Sequence, residues 1–153
     1  MNRKNKGISP VVATVIIVAI AIALAIAVAL WASGLVGIFT RFEEVKVISA
    51  YAEVATGGGF NVTLTLKNTG SADATIDNVI INGKPYGSWT GGITIDIDGT
   101  AFDPNTGYPL KSGEQVDMTI TIPTAVGFKS GQTLDIKIHT AAGHDYAKAV
   151  VLP

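Results

Sequence analysis

The sequence contains no cysteine, which excludes disulfides and thiolate metal sites and leaves the redox compartment open. Histidine occurs twice, at His139 and His144, and only 15% of the residues are charged, against about 25% in an ordinary soluble protein. That scarcity is local: Ile8 to Thr40 are 33 consecutive residues without a charge, and no acid precedes Glu43. A Lys/Arg cluster is also missing after the apolar stretch. From Arg41 onward 8 Lys/Arg stand against 12 Asp/Glu, a net charge of −4, so nucleic acid, whose binding needs basic side chains to displace counterions, is excluded as a partner. Neither a Gly-x-Ser-x-Gly elbow nor a phosphate-binding glycine loop occurs. The sequence therefore offers no catalytic residue and no cofactor.

What is present divides in two. Of the 33 residues from Ile8 to Thr40, 26 are apolar, enough for one hydrophobic segment followed by one small domain. Residues 1–7 hold Arg3, Lys4 and Lys6; the positive-inside rule keeps that flank cytoplasmic and sends the domain outside. Ser9 in the capping position and Pro10 at the first helical position mark a helix start. A helix from Pro10 to Phe39 would be about 45 Å long, against about 30 Å for a bilayer core. A removable secretory signal has an apolar core of only about 7–15 residues, so that reading is weak here.

Within the run, Val18 to Leu30 reads VAIAIALAIAVAL, with alanine at every odd position. Wound as a helix, Ala19, Ala23 and Ala27 form one small ridge, and Ala21, Ala25, Ala29 and Ser33 form a second on the opposite side. Bulky ridges lie between them: Val18, Ile22, Ile26 and Leu30, and Ile20, Leu24 and Val28. Ridges spaced at four residues interlock between helices, and small ones permit close approach. The plainer alternative is a membrane span that is merely rich in Ala and β-branched residues, since lipid accepts any apolar sequence.

The opening MNRKNKGISPVVATVIIVAIAIALAIAV resembles the N-terminus of archaeal type IV pilins and the related archaellins. The resemblance covers roughly the first 40 residues. It implies a basic leader, residues 1–7, removed by a prepilin peptidase between Gly7 and Ile8, with Lys6 as the basic residue before the cut. It further implies that residues 8–40 are retained as a membrane-spanning and then filament-core helix, and that residues 41–153 form a β-sandwich head. The fifth residue after the cut would be Val12, where bacterial pilins usually carry Glu; the archaeal branch often lacks that acid. By this resemblance the chain is the structural subunit of an adhesive pilus, a homopolymer extruded from a membrane precursor by assembly machinery. It would be displayed at the cell surface and would meet cell or abiotic surfaces. Trp31 then suits an interfacial aromatic or a filament-core contact. Two other readings stay open: an archaellin, or a single-span anchored sandwich that binds a partner.

Residues 41–153 alternate as half-buried antiparallel strands do, over Phe60–Leu66, Ile93–Asp98, Val116–Ile122 and Leu134–His139. Less regular strands are expected at Val45–Ala55, with a bulge near Val47 where the apolar parity switches, and at Thr75–Asn82 and Asp145–Leu152. Asn82-Gly83 is the strongest hairpin signal. Seven or eight short strands without a helical period predict an immunoglobulin-like sandwich, so the fold class is α+β: a long N-terminal helix, then an all-β head. The first strand is expected to follow the helix directly, around Thr40–Val45.

Asn61-Val-Thr63 is the single N-x-S/T sequon; with Phe60, Val62 and Leu64 inward, Asn61 faces solvent and is a candidate glycan acceptor. Asp96-Ile-Asp98-Gly99 with Asp103 partly matches a calcium loop but lacks its third early acid and distal Glu, so no metal is assigned. His139 and His144 bracket the turn Thr140–Gly143, with Asp135 and Asp145 nearby. A zinc site needs three ligands, so they read as turn histidines able to meet across it. Tyr86 and Trp89 are surface contacts or plugs of the sandwich, the plug being preferred.

Overall fold

The computed structural model describes residues 9–34 and 41–153. The chain divides into two compact units, Met1–Arg41 and Phe42–Pro153. Among its described residues the first holds one helix, α1 (Pro10–Ala32). Ser9 occupies the position before it but makes no capping bond through its hydroxyl, and Pro10 starts the helix. The C-terminal stop was not anticipated: Ser33 caps the helix, and Gly34 follows with φ +73°, the left-handed conformation in which helices commonly end. At 1.5 Å per residue, 23 residues span about 35 Å. That matches a bilayer core, so the described helix lacks the surplus length expected of one running to Phe39.

The second unit is an antiparallel sandwich, and the fold as a whole is α+β. Among the described residues its strands are β1 (Val45–Val54), β2 (Phe60–Asn68), β3 (Ala74–Ile81), β4 (Lys84–Pro85), β5 (Thr94–Ile97), β6 (Thr100–Ala101), β7 (Tyr108–Leu110), β8 (Gln115–Ile122), β9 (Thr133–Thr140) and β10 (Asp145–Val151). One sheet has the order β1-β2-β8-β5-β6; the other runs β10-β9-β3-β4, with β7 also paired to β3. Period-two alternation decides which side chains meet. Val62, Leu64 and Leu66 of β2, Met118 and Ile120 of β8, and Leu134, Ile136 and Ile138 of β9 are all fully buried. Each such aliphatic side chain contributes about 1.5–3 kcal/mol by leaving water.

The irregularities have local causes. The register of β1 on β2 shifts between Val47 and Ser49, the bulge that the parity switch predicts. A second bulge, between Ile76 and Asn78 where β3 meets β9, moves the inward set from Ala74 and Ile76 to Val79 and Ile81 and leaves Asp77 as the extra residue. Asn82 and Gly83 both have positive φ, +49° and +78°, the type I′ geometry of a two-residue hairpin. Asn82 also accepts a bond from the Asp135 amide through Oδ1 at 2.8 Å.

The first strand begins at Val45, at the end of the stretch where the sequence places its start. Thr40 lies outside the described residues, and residues 41–44 have no regular structure. Phe42–Glu44 are instead strapped to the loop after β2. Thr69 N donates to Glu44 O at 2.7 Å, Ala72 N donates to Phe42 O at 3.0 Å, and Phe42 N donates to Ser71 Oγ at 3.1 Å. Gly70 makes this approach possible, because a Cβ there would stand 2.4 Å from Phe42 O and 2.6 Å from Glu44 N. Fully buried Asn68 shapes the loop from inside. Its Nδ2 donates to Ala72 O and Leu110 O, and its Oδ1 accepts from Gly70 N.

Candidate functional site

The helix α1 is the feature that the sandwich does not explain. None of its residues is buried, and every bulky residue from Val11 to Trp31 is between 48% and 72% exposed. Such a surface is unsuited to water on all sides. The small ridges through Ala19, Ala21, Ala23, Ala25, Ala27 and Ala29 lie wholly within the helix, as do the bulky ridges between them. Its two hydroxyls turn inward: Thr14 Oγ1 donates to Val11 O at 2.9 Å, and Ser33 Oγ donates to Leu30 O at 2.8 Å. Bonds of this kind leave neither hydroxyl seeking a partner in an apolar medium. No charged residue sits in either terminal turn of the helix. Lys6, Gly7 and Ile8, the expected cut, lie outside the described residues.

Asn61 is on the outer face of β2, as the alternation predicts, but not in open solvent. It lies in an interior strand between Glu53 of β1 and Thr121 of β8, and its Oδ1 is buried without a hydrogen-bond partner.

The two histidines do not meet, contrary to the expectation for a pair of turn residues. His139 lies within β9 rather than in the turn, and its Nδ1 bonds Asp77 Oδ1 at 2.5 Å. The β3 bulge supplies that partner. His144 stands in the turn, with Nδ1 4.0 Å from Glu43 Oε1. Their separation follows from β10 pairing, which sets His139 opposite Asp145, not opposite His144. Among the described residues no cluster of three His, Asp or Glu side chains could hold a metal. Asp96 instead closes a tight turn, accepting from Gly99 N at 2.7 Å, while Asp103 accepts from the backbone and side chain of Asn105.

Tyr86 and Trp89 pack against the core, as plugs do. Tyr86 donates to Phe102 O at 3.1 Å, and Trp89 lies 5.0 Å from the Phe128 ring, with Lys84 Nζ 4.9 Å over its indole. Burial pushes the Tyr86, Tyr108 and Tyr146 hydroxyls above the usual tyrosine range, with nearby carboxylates adding to it. Glu44 shifts the other way: the Thr69 hydroxyl, 2.6 Å from Oε2, and then the Lys46 charge hold its carboxyl below the ordinary range.

No family model matches the chain, and no curated protein matches it. Solved structures give loose likenesses. The archaellum periplasmic stator protein FlaG from Sulfolobus acidocaldarius is 20% identical, covering 71% of this chain and 99% of that one, with a TM-score of 0.47. The archaeal flagellum of Methanospirillum hungatei is 18% identical over 95% of this chain and 94% of that one, with a TM-score of 0.46. A lipoprotein from Bacteroides thetaiotaomicron is 17% identical, over 72% of this chain and 78% of that one, at 0.39. With overlays this loose and identities this low, function has to be argued from this chain's own residues.

Proposed function

We propose that this chain is the structural subunit of an archaeal type IV adhesive pilus. It is made as a membrane precursor with residues 1–7 inside, cut by a prepilin peptidase between Gly7 and Ile8, and polymerised through residues 8–40 with its sandwich head outside. The observation that carries this reading is the ridged surface of α1, none of whose 23 residues is buried. Lipid alone would cover such a helix, but lipid gains nothing from small and bulky ridges that alternate around it. Neighbouring copies do, because alanine ridges let backbones approach and bulky ridges fill the grooves. In this reading each helix leaves lipid for a bundle of identical helices. Extraction is driven by an assembly ATPase elsewhere, and the heads meet cell or abiotic surfaces. Asn61 is the glycan acceptor in the same scheme; it lies half-exposed on the outer face of an interior strand.

Mass spectrometry of the N-terminus of native protein tests the reading. A chain beginning at Ile8 with the helix retained is the expected result. An intact leader beginning at Met1 or Asn2 overturns it and leaves a permanently anchored sandwich.

A further inference from the structure

The strap over Phe42–Glu44 is held from two sides, and the two holds differ in kind. The loop Asn68–Asp73 holds it with backbone and hydroxyl bonds, including Gly70 N to Glu44 O at 3.2 Å and Thr69 Oγ1 to Glu44 Oε2 at 2.6 Å. The β9–β10 turn and the start of β10 hold it loosely. Tyr146 OH donates to Glu43 O at 3.4 Å, and the His144 Nδ1 stops 4.0 Å from Glu43 Oε1. The Glu43 side chain is only 9% exposed, and that oxygen is buried with no hydrogen-bond partner. A carboxylate oxygen deprived of both water and a donor is costly to keep. Among the described residues, the side-chain nitrogen paired with it is that of an imidazole that is still 56% exposed. The backbone beneath that imidazole is fixed, since His144 O accepts from Thr140 N at 3.0 Å. Closing the gap to hydrogen-bond length takes a side-chain movement of about 1 Å.

We propose that Glu43 and His144 form a proton-operated latch on this strap. A proton on His144 turns a near approach into a charge-assisted bond, and the strap tightens onto the sandwich. The sign follows from linkage. A histidine that gains its partner only in the closed state favours that state at acid pH and releases it as pH rises through the histidine range, around 6.5. Three neighbouring carboxylates are engaged elsewhere. Glu44 is bonded to Thr69 and lies 3.5 Å from Lys46; Asp145 lies 3.6 Å from Lys137; Asp77 holds His139. Tyr146 keeps its proton across this range, since burial raises its hydroxyl. The latch lies wholly within Phe42–Pro153 and does not depend on the filament reading.

Hydrogen exchange on the full-length chain in detergent micelles tests it, read by mass spectrometry at about pH 5 and about pH 8 on either side of the histidine range. The informative peptides cover residues 42–46 and 68–73, with rates normalised to the same unstructured sequences. Peptides from β2 and β8 report in the same spectra that the head is folded. The expected result is about fivefold greater protection of the strap at the acid pH, the scale of a partly exposed ion pair. His144→Gln and Glu43→Gln should each abolish that difference, whereas His139→Gln should leave it intact. Equal strap protection at both pH values in the unmodified chain overturns the proposal. So does a difference that survives in His144→Gln.

Discussion

The helix and the sandwich solve opposite problems. In Phe42–Pro153 most aliphatic side chains face one another between the sheets, and even a buried carboxamide, Asn68, has three bonds. In Pro10–Ala32 the apolar side chains face outward and no residue is buried. One region completes its structure within one chain; the other has a finished backbone and an unfinished surface. Stability of the first is therefore a property of the monomer, and burial of the second belongs to whatever surrounds it.

Substitutions can pull the two apart. Leu64→Ala should have the largest effect, destabilising the head by about 2–5 kcal/mol through lost transfer energy and a cavity between the sheets. Thermal unfolding of the head would record it, and membrane insertion of the chain should be unchanged. If insertion failed too, the two regions would not be energetically separate. Ala23→Leu is the converse test. On the proposed filament reading, filling a small ridge should lower filament yield about tenfold, a loss of roughly 1–2 kcal/mol in helix packing, with no change in head unfolding. Equal yield would count against ridge packing and in favour of a plain anchor. The smallest effect is expected from Thr69→Val. Removing the hydroxyl that bonds Glu44 should raise the Glu44 titration midpoint toward its ordinary value of 4.5. Because the folded value lies below the ordinary one, the associated stability is present at neutral pH and is lost as pH falls through the acid range. The variant should therefore show a weaker acid dependence of unfolding, with the Glu44 shift followed by NMR.

Much of this architecture was legible because it is periodic. The four alternating stretches became β2, β5, β8 and β9, and the parity switch near Val47 and the Asn82-Gly83 turn were visible as local signals. The bulge at Asp77 leaves the same signature, Ile76 followed by Val79 and Ile81, in a stretch read only as less regular. The short strands β4, β6 and β7 span two or three residues each, too few to show a period. Contacts distant in sequence were beyond reach. Gly70 looks like turn punctuation until Phe42 and Glu44 lie across it. Nothing local says that Asp77, 62 residues before His139, will take that histidine from its neighbour in the turn. The inward hydroxyls of Thr14 and Ser33 were likewise hidden in a pattern that scores only apolar against polar.

The placement of the alanines also bears on how association ends. A helix with one apolar stripe is saturated by a single neighbour, and a pair of such helices is a closed object. Here Ala19, Ala23 and Ala27 lie roughly opposite Ala21, Ala25 and Ala29, so on the ridge-packing reading a second neighbour can dock while the first is still in place. On that reading the valence of each helix exceeds one, and nothing in its described surface tells a growing assembly to stop at two.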